Sequence, residues 1–296
     1  MTKTRKLLLW IGAIYIVLAL GAAVFLGSSG KNEEFKPQNE FKLDTWFSIG
    51  PIHFNKAVLY LLIAAFLTVW TMVFVARRMQ ARPNRVQTAV ETLYGLMRDN
   101  ITRGNMDDRM AAKWFPFIGA IFLFIWYSNL IGFIPLPVNS QEKVNIFGAN
   151  VPAFQIYAAT ANLSIPLVLS LIVFITYTTE GIRAKGVGGY LKALIPGGVH
   201  GPMVLLIFPL EVLSNLMRII SLSVRLFANM LAGHLIILFM AGGLAILLGT
   251  AAIGVFLLPL GWAIYLFEVG LVATLQAFIF ATLSAIYLGG SVAASH

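Results

Sequence analysis

Apolar residues fall along this chain in long blocks separated by short polar stretches. The first block runs from Leu7 to about Leu26 behind Lys3, Arg5 and Lys6, and the second, from about Ala57 to Val75, is closed by Arg77, Arg78, Arg82 and Arg85. A third covers about Phe115 to Ile134, and a fourth covers about Leu163 to Tyr177 and is followed by Arg183, Lys185 and Lys192. Crossing a bilayer core of about 30 Å takes roughly 20 apolar residues in a helix. From Pro202 onward the chain is apolar for about ninety residues, enough for two helices longer than one perpendicular crossing. Those two are expected to tilt or to lie partly along the membrane. A break is expected near Ala241-Gly242-Gly243 through Gly249, because adjacent glycines loosen a helix. No block shows the alternation of an outer-membrane barrel strand. The pattern therefore predicts an all-α, polytopic membrane protein with about six hydrophobic helices.

Between the second and third blocks the period changes. Val86, Val90, Leu93, Met97 and Ile101 recur at spacings of three or four, with Glu91, Arg98 and Asp99 off the stripe, which predicts an amphipathic helix from Asn84 to Ile101. It either lies on the membrane surface or packs on other subunits. A loop carrying Asn139, Glu142 and Lys143 is expected between the third and fourth blocks. The basic flank of the first block fits a signal peptide or a cytoplasm-anchored span. Its apolar run is longer than a usual signal core and Gly27-Ser28-Ser29-Gly30 is a poor cleavage site, so a retained span is expected, with a cleaved leader as the alternative. Residues 1–56 would then form an extra span and external segment, and residues 57–296 the main membrane domain. With the N-terminus inside, the inner segments hold fourteen Lys and Arg and the outer ones five, as the positive-inside rule requires.

Composition narrows the chemistry. Of 296 residues, 59% are apolar and 11% charged, far from the quarter or so charged in soluble domains. The net charge of +9 reads as membrane sidedness rather than as a nucleic-acid footprint. Cysteine is absent, which excludes disulfides, thiolate nucleophiles and Cys-ligated metals. His53, His200 and His296 lie in polar loops or at the terminus, none with a second ligand at helical spacing, so no metal site and no cofactor are expected.

Inside the apolar region Pro209 to Leu247 stand Glu211, Arg218, Arg225, Asn229 and His234. An arginine at a membrane helix centre costs about 2.5 to 3.5 kcal/mol even on the lenient insertion scale, and such residues mark function by default. Ser221, Arg225 and Asn229 are successive i, i+4 neighbours, and Glu211 and Arg218 project within about 40° of the same line, so one helix face is polar. The plain alternative for Arg225 is a structural ion pair with Glu268 or Glu211; for Arg218 it is snorkelling to the cytoplasmic edge. His234, nine residues after Arg225, falls on the opposite face and reads either as a packed hydrogen-bonding group or as a relay. The last helix, about Phe256 to Leu288, adds Glu268, Thr274 and Gln276. Titratable His234 and Glu268 on paired helices, with amides and hydroxyls nearby in sequence, are the material of a proton path.

The run from Ser221 through Arg225 and Asn229 to His234 closely resembles the hallmark of the ATP synthase subunit a family, an arginine followed at +4 by Asn and at +9 by an ionisable residue. Phe115-Pro116 through Asn129 to Pro135, Thr160-Ala161-Asn162-Leu163-Ser164, and Leu275-Gln276-Ala277-Phe278-Ile279-Phe280 ending at Tyr287-Leu288 agree in order, so the resemblance covers about residues 57 to 290. It implies a stator subunit of the F-type ATP synthase, non-catalytic by itself; the long N-terminal extension favours a bacterial cell (inner) membrane over that of an organelle. Its partners would be the rotor c-ring, the peripheral stalk subunit b and membrane lipid, and the translocated ion would be H⁺, with Na⁺ as the alternative. By the same resemblance Arg225 faces the ring and separates two half-channels. Asn229, His234, Glu268, Gln276 and Asn162 would line the outer one, and Ser221 and Glu211 would lie towards the cytoplasmic exit. The chain departs from the pattern in three places. Asn162 cannot titrate where some bacterial members carry an acid. His precedes Glu on the two long helices, as in mitochondrial members. Glu268 also stands eight residues before Gln276 where seven is expected, which rotates it by about 100° in an unbroken helix.

Three other classes fit less well. A secondary transporter should show paired halves with broken helices, and no duplication is visible. An intramembrane serine protease lacks a Gly-x-Ser-x-Gly elbow around Ser214, Ser221 or Ser223. A purely structural assembly subunit would make Arg225→Ala alter stability more than transport.

Overall fold

A computed structural model describes residues 10, 12–17, 21, 41–50, 52–78, 85–146, 149–195, 201–243 and 251–293. Residues 12–17 are helical, and the rest of the expected first span lies outside the described residues. Among the described residues seven α-helices follow: α1 (Lys56–Arg78), α2 (Arg85–Gly95), α3 (Asp108–Gly132), α4 (Ser164–Ala193), α5 (Met203–Leu238), α6 (Ala251–Phe267) and α7 (Ala273–Val292). The segments Lys56–Phe74, Asp108–Gly132, Ser164–Ala193, Met203–Leu238 and Phe256–Val292 are long and apolar enough to cross a membrane. The protein is thus a polytopic, all-α membrane chain. At about 1.5 Å per residue, the 36 residues of α5 extend roughly 54 Å, well beyond one perpendicular crossing.

Three features differ from the sequence-based expectation. The stretch around Asn139, Glu142 and Lys143 is no loop: β3 (Leu136–Ile146) pairs antiparallel with β4 (Ala149–Gln155), alongside a smaller hairpin of β1 (Phe47–Ile49) and β2 (Ile52–Phe54). Segments lacking helical bonds satisfy their backbone groups across a ladder instead, and β-branched Val138, Val144 and Val151 suit one. The fourth span continues to Ala193, interrupted at Gly186, whose φ of +72° suits a residue without a Cβ. Thirdly, the amphipathic helix widens after Gly95 into a π-helical stretch, Leu96–Arg103, which packs on α3 and α7 of this same chain. Met97 and Ile101 are buried there, so much of the apolar stripe is covered by protein rather than by lipid or another subunit.

The chain divides into two compact units that alternate along the sequence: Met1–Lys56, Ile134–Tyr157 and Ala232–Val272 make the first, and Ala57–Phe133, Ala158–Leu231 and Ala273–His296 the second. In the second, α3 and α4 both pack on α7. Ala273, Ala277, Ala281 and Ala285 form a buried row of small residues on α7, the i, i+4 pattern that lets membrane helices approach closely. Buried polar groups clamp the same region. Asn129, fully buried on α3, donates from Nδ2 to the Ala273 carbonyl at 3.4 Å and accepts from the Thr160 hydroxyl at 2.7 Å, while Trp126 Nε1 donates to Thr274 Oγ1 at 3.0 Å. Gly132 lets the end of α3 meet Ala158; a Cβ there would lie 2.6 Å from the Ala158 Cα. Buried Glu180 on α4 takes Lys113 Nζ at 2.8 Å and Arg183 Nη1 at 3.1 Å, tying the start of α3 to α4.

Candidate functional site

On α5, within the second unit, the helix period sorts side chains into rows. Leu222, Leu226 and Met230 form a buried row, whereas Met217, Ile220 and Val224 are exposed apolar residues. Arg225 is half-buried and projects at the edge between these rows, in line with exposed Ser221 and Asn229. Among the described residues of its own unit Arg225 pairs with no carboxylate; the ion pairs there join Arg103, Lys113 and Arg183 to Asp99, Asp108 and Glu180. A guanidinium is thereby left on the surface of an apolar helix.

Nearer the start of α5, a cavity of about 300 Å³ opens between α4, α5 and α7, lined by Glu211, Asn215 and Arg218 together with Lys185 and three tyrosines. Tyr177 Oη donates to Asn215 Oδ1 at 2.8 Å and Asn215 Nδ2 donates to Tyr190 Oη at 3.5 Å. The Arg218 guanidinium lies over the Tyr287 ring at 4.9 Å, a cation–π contact that holds it against protein. Gln276 is buried on α7, and Asn162 Oδ1 accepts from the Ser164 N–H at 3.0 Å, in the first turn of α4.

The first unit holds the other two titratable candidates. His234 is buried and lines a smaller cavity, about 180 Å³, with Gln155 and apolar neighbours. Glu268 is also buried, and its carboxyl packs directly on the α-carbon of Gly233, the residue before His234. A Cβ at Gly233 would stand 2.7 Å from Glu268 Cδ and 3.0 Å from Oε1, and would meet Oε2 as well, so only glycine admits the carboxyl there. Glu268 Oε2 has no hydrogen-bond partner among the described residues. Glu268 also opens a π-helical turn, Glu268–Val272, that accommodates one residue more than a regular helix. The rotation of about 100° expected for an unbroken helix between Glu268 and Gln276 therefore does not follow.

The model of the family described as the ATP synthase A chain matches residues 58–289, more than three quarters of the chain. The chain belongs to this ATP synthase A chain family. Among curated relatives, the ATP synthase subunit a of Myxococcus xanthus is 36% identical over 207 residues, 70% of this chain and 61% of that protein. The one from Bradyrhizobium diazoefficiens is 34% identical over 271 residues, 88% of this chain and 98% of its own length. That from Rhodopseudomonas palustris is 32% identical, over 88% of this chain and 99% of the relative.

Within this A chain, the helix aligns Ser221, Arg225 and Asn229, and the fold sets Glu268 beside the residue preceding His234. Glu211 lines the larger cavity, with Arg218, for which snorkelling was the plain alternative. Sequence reasoning missed Gly233, Asn215, Gln155 and Lys56. Asn215 stands on the same helix as Arg225, but its partners Tyr177 and Tyr190 come from α4, and no local spacing announces such a pairing. Gly233 sits inside the quoted arginine motif, where its lack of a side chain was the available signal.

Proposed function

We propose that this chain is the ion-translocating stator subunit of an F-type ATP synthase, in which Arg225 stands between two proton half-channels and faces a rotor ring of partner subunits bearing membrane carboxylates. The observation that carries this reading is the half-buried guanidinium on an exposed apolar helix face, with no carboxylate partner among the described residues of its unit. A charge so placed in a membrane is costly, and an anionic partner on a neighbouring subunit would offset that cost. At about 4 Å and an effective dielectric of about 20, Arg225 would favour an ionised carboxylate by about 4 kcal/mol. It would thus help each passing ring subunit release its proton and, being a fixed cation, block direct leakage between the half-channels. Lysine is a poor substitute, because a desolvated ammonium loses its proton far more readily than guanidinium.

The Lys and Arg distribution supports a cytoplasmic side for the N-terminus, the 77–113 segment and the end of α4. His234, Glu268, Asn229, Gln276 and Asn162 then belong to the outer half-channel, and Ser221 and Glu211, the latter in the 300 Å³ cavity, to the inner one. The chain catalyses no bond chemistry itself; it couples proton flow to ring rotation within the complex, alongside the peripheral stalk. The expected ion is H⁺, because an imidazole and a carboxyl such as His234 and Glu268 are groups that can relay protons; Na⁺ is the alternative, and pumping that requires sodium would reveal it.

The test is ATP-driven acidification of inverted membrane vesicles carrying Arg225→Ala, with assembly checked by co-purification of the ring. Intact assembly with pumping abolished is the expected result. Normal pumping would refute the gate role, and loss of assembly would return Arg225 to a structural part.

A further inference from the structure

The 180 Å³ cavity of the first unit has an apolar wall that includes Phe41, Phe154 and Ile237, and its polar lining comes from two side chains, Gln155 and His234. Its volume has room for several waters, whose share of liquid is about 30 Å³ each, and two polar groups are enough to anchor them. Gln155 ends β4 and is buried, and its Oε1 accepts from Lys56 Nζ at 3.1 Å. Lys56, itself buried at the start of α1, also lies 4.9 Å from the centre of the Tyr157 ring. A lysine at this depth needs partners that stabilise its charge, and an amide oxygen and a ring face both do so. An ammonium only donates, so it fixes which end of the Gln155 amide faces it, and the side chain is held in one orientation at the cavity wall.

We propose that this cavity is the water-holding antechamber of the outer half-channel, and that Gln155, oriented by Lys56, is a positioning residue that orders the water from which His234 takes its proton. The proposal rests on the half-channel reading given above. Its mechanism is a hydrogen-bonded path: water enters past the external hairpins, the Gln155 amide holds it in register, and the imidazole accepts the proton. An apolar side chain at position 155 would leave the water disordered and the ammonium short of an acceptor.

The chain's lack of cysteine makes the test direct in the assembled complex. Ile237→Cys, outside the proton-bearing set, is treated with a small membrane-impermeant methanethiosulfonate in right-side-out and in inverted vesicles. Labelling at least about tenfold faster from the outer face is expected; absence of outer-face labelling would overturn the antechamber. In inverted vesicles, Gln155→Met is expected to lower ATP-driven pumping per assembled complex by about tenfold. Gln155→Glu, which keeps an oxygen for Lys56, should restore pumping to within about twofold of the native rate. Native pumping by Gln155→Met, or no recovery with Gln155→Glu, would overturn the positioning role. Should Gln155→Met fail to assemble, Gln155→Leu, also apolar, carries the same test with the same expected loss. The labelling does not depend on Arg225, so normal pumping by Arg225→Ala would sink the half-channel reading, whereas absent labelling would sink only the antechamber.

Discussion

Gly233→Ala isolates the contact between Glu268 and the helix that carries His234. The added Cβ would stand 2.7 Å from Glu268 Cδ, whereas carbon atoms rest at about 3.5 to 4.0 Å, so the carboxyl must retreat by about 1 Å. Because the obstacle is the end of a flexible side chain, relief takes a rotamer adjustment of about 1 kcal/mol and leaves the fold intact. Transport should suffer far more, since a misplacement of about 1 Å in a reacting group costs up to about a hundredfold in rate. The expected result is normal assembly with ATP-driven acidification reduced at least about tenfold per complex. Adding Glu268→Asp, which shortens the side chain by about 1.5 Å, should recover part of the loss. Pumping within twofold of native by the assembled Gly233→Ala complex would refute the reasoning, because the carboxyl's position against α5 would then be irrelevant to transport.

Two further substitutions test the packing that holds the second unit together. Gly132→Ala places its Cβ 2.6 Å from the Ala158 Cα, a backbone atom that no rotamer change can move, so a loss of about 1 to 3 kcal/mol is expected as a lower Tm of the purified complex. An unchanged Tm would show that the end of α3 yields freely. Asn129→Leu removes the acceptor of the Thr160 hydroxyl and the donor to the Ala273 carbonyl, both buried, for a loss of about 1 to 3 kcal/mol. Partial recovery of Tm by Thr160→Val in the same chain is expected, because both partners of that bond would then be apolar while the Ala273 carbonyl still lacks its donor; additive losses would argue against the pairing.

Local spacing made much of this protein legible before any fold was known. Long apolar blocks specify spans because a helix satisfies its own backbone in lipid, and that property needs no tertiary contact. The alignment of Ser221, Arg225 and Asn229 was equally legible, since the 3.6-residue period of one unbroken helix determines it. Other features lie between residues far apart in the chain. The Asn129 clamp joins positions 144 and 31 residues away, and Lys56 meets Gln155 across 99. No periodicity encodes which helix faces which, so Asn129 read as a motif residue rather than as a clamp, and the hairpin read as a loop. The offset between Glu268 and Gln276 looked like a rotation because a constant period was assumed; the π-turn at Glu268–Val272 is a change of helix geometry that spacing alone does not reveal. Sequence by itself determined the spans from α1 onward, the charge asymmetry along the chain and the polar face of α5. Tertiary structure alone decided that the Glu268 carboxyl rests on Gly233 and that Gln155 shares a cavity with His234, because close packing between elements depends on shape and not on local periodicity.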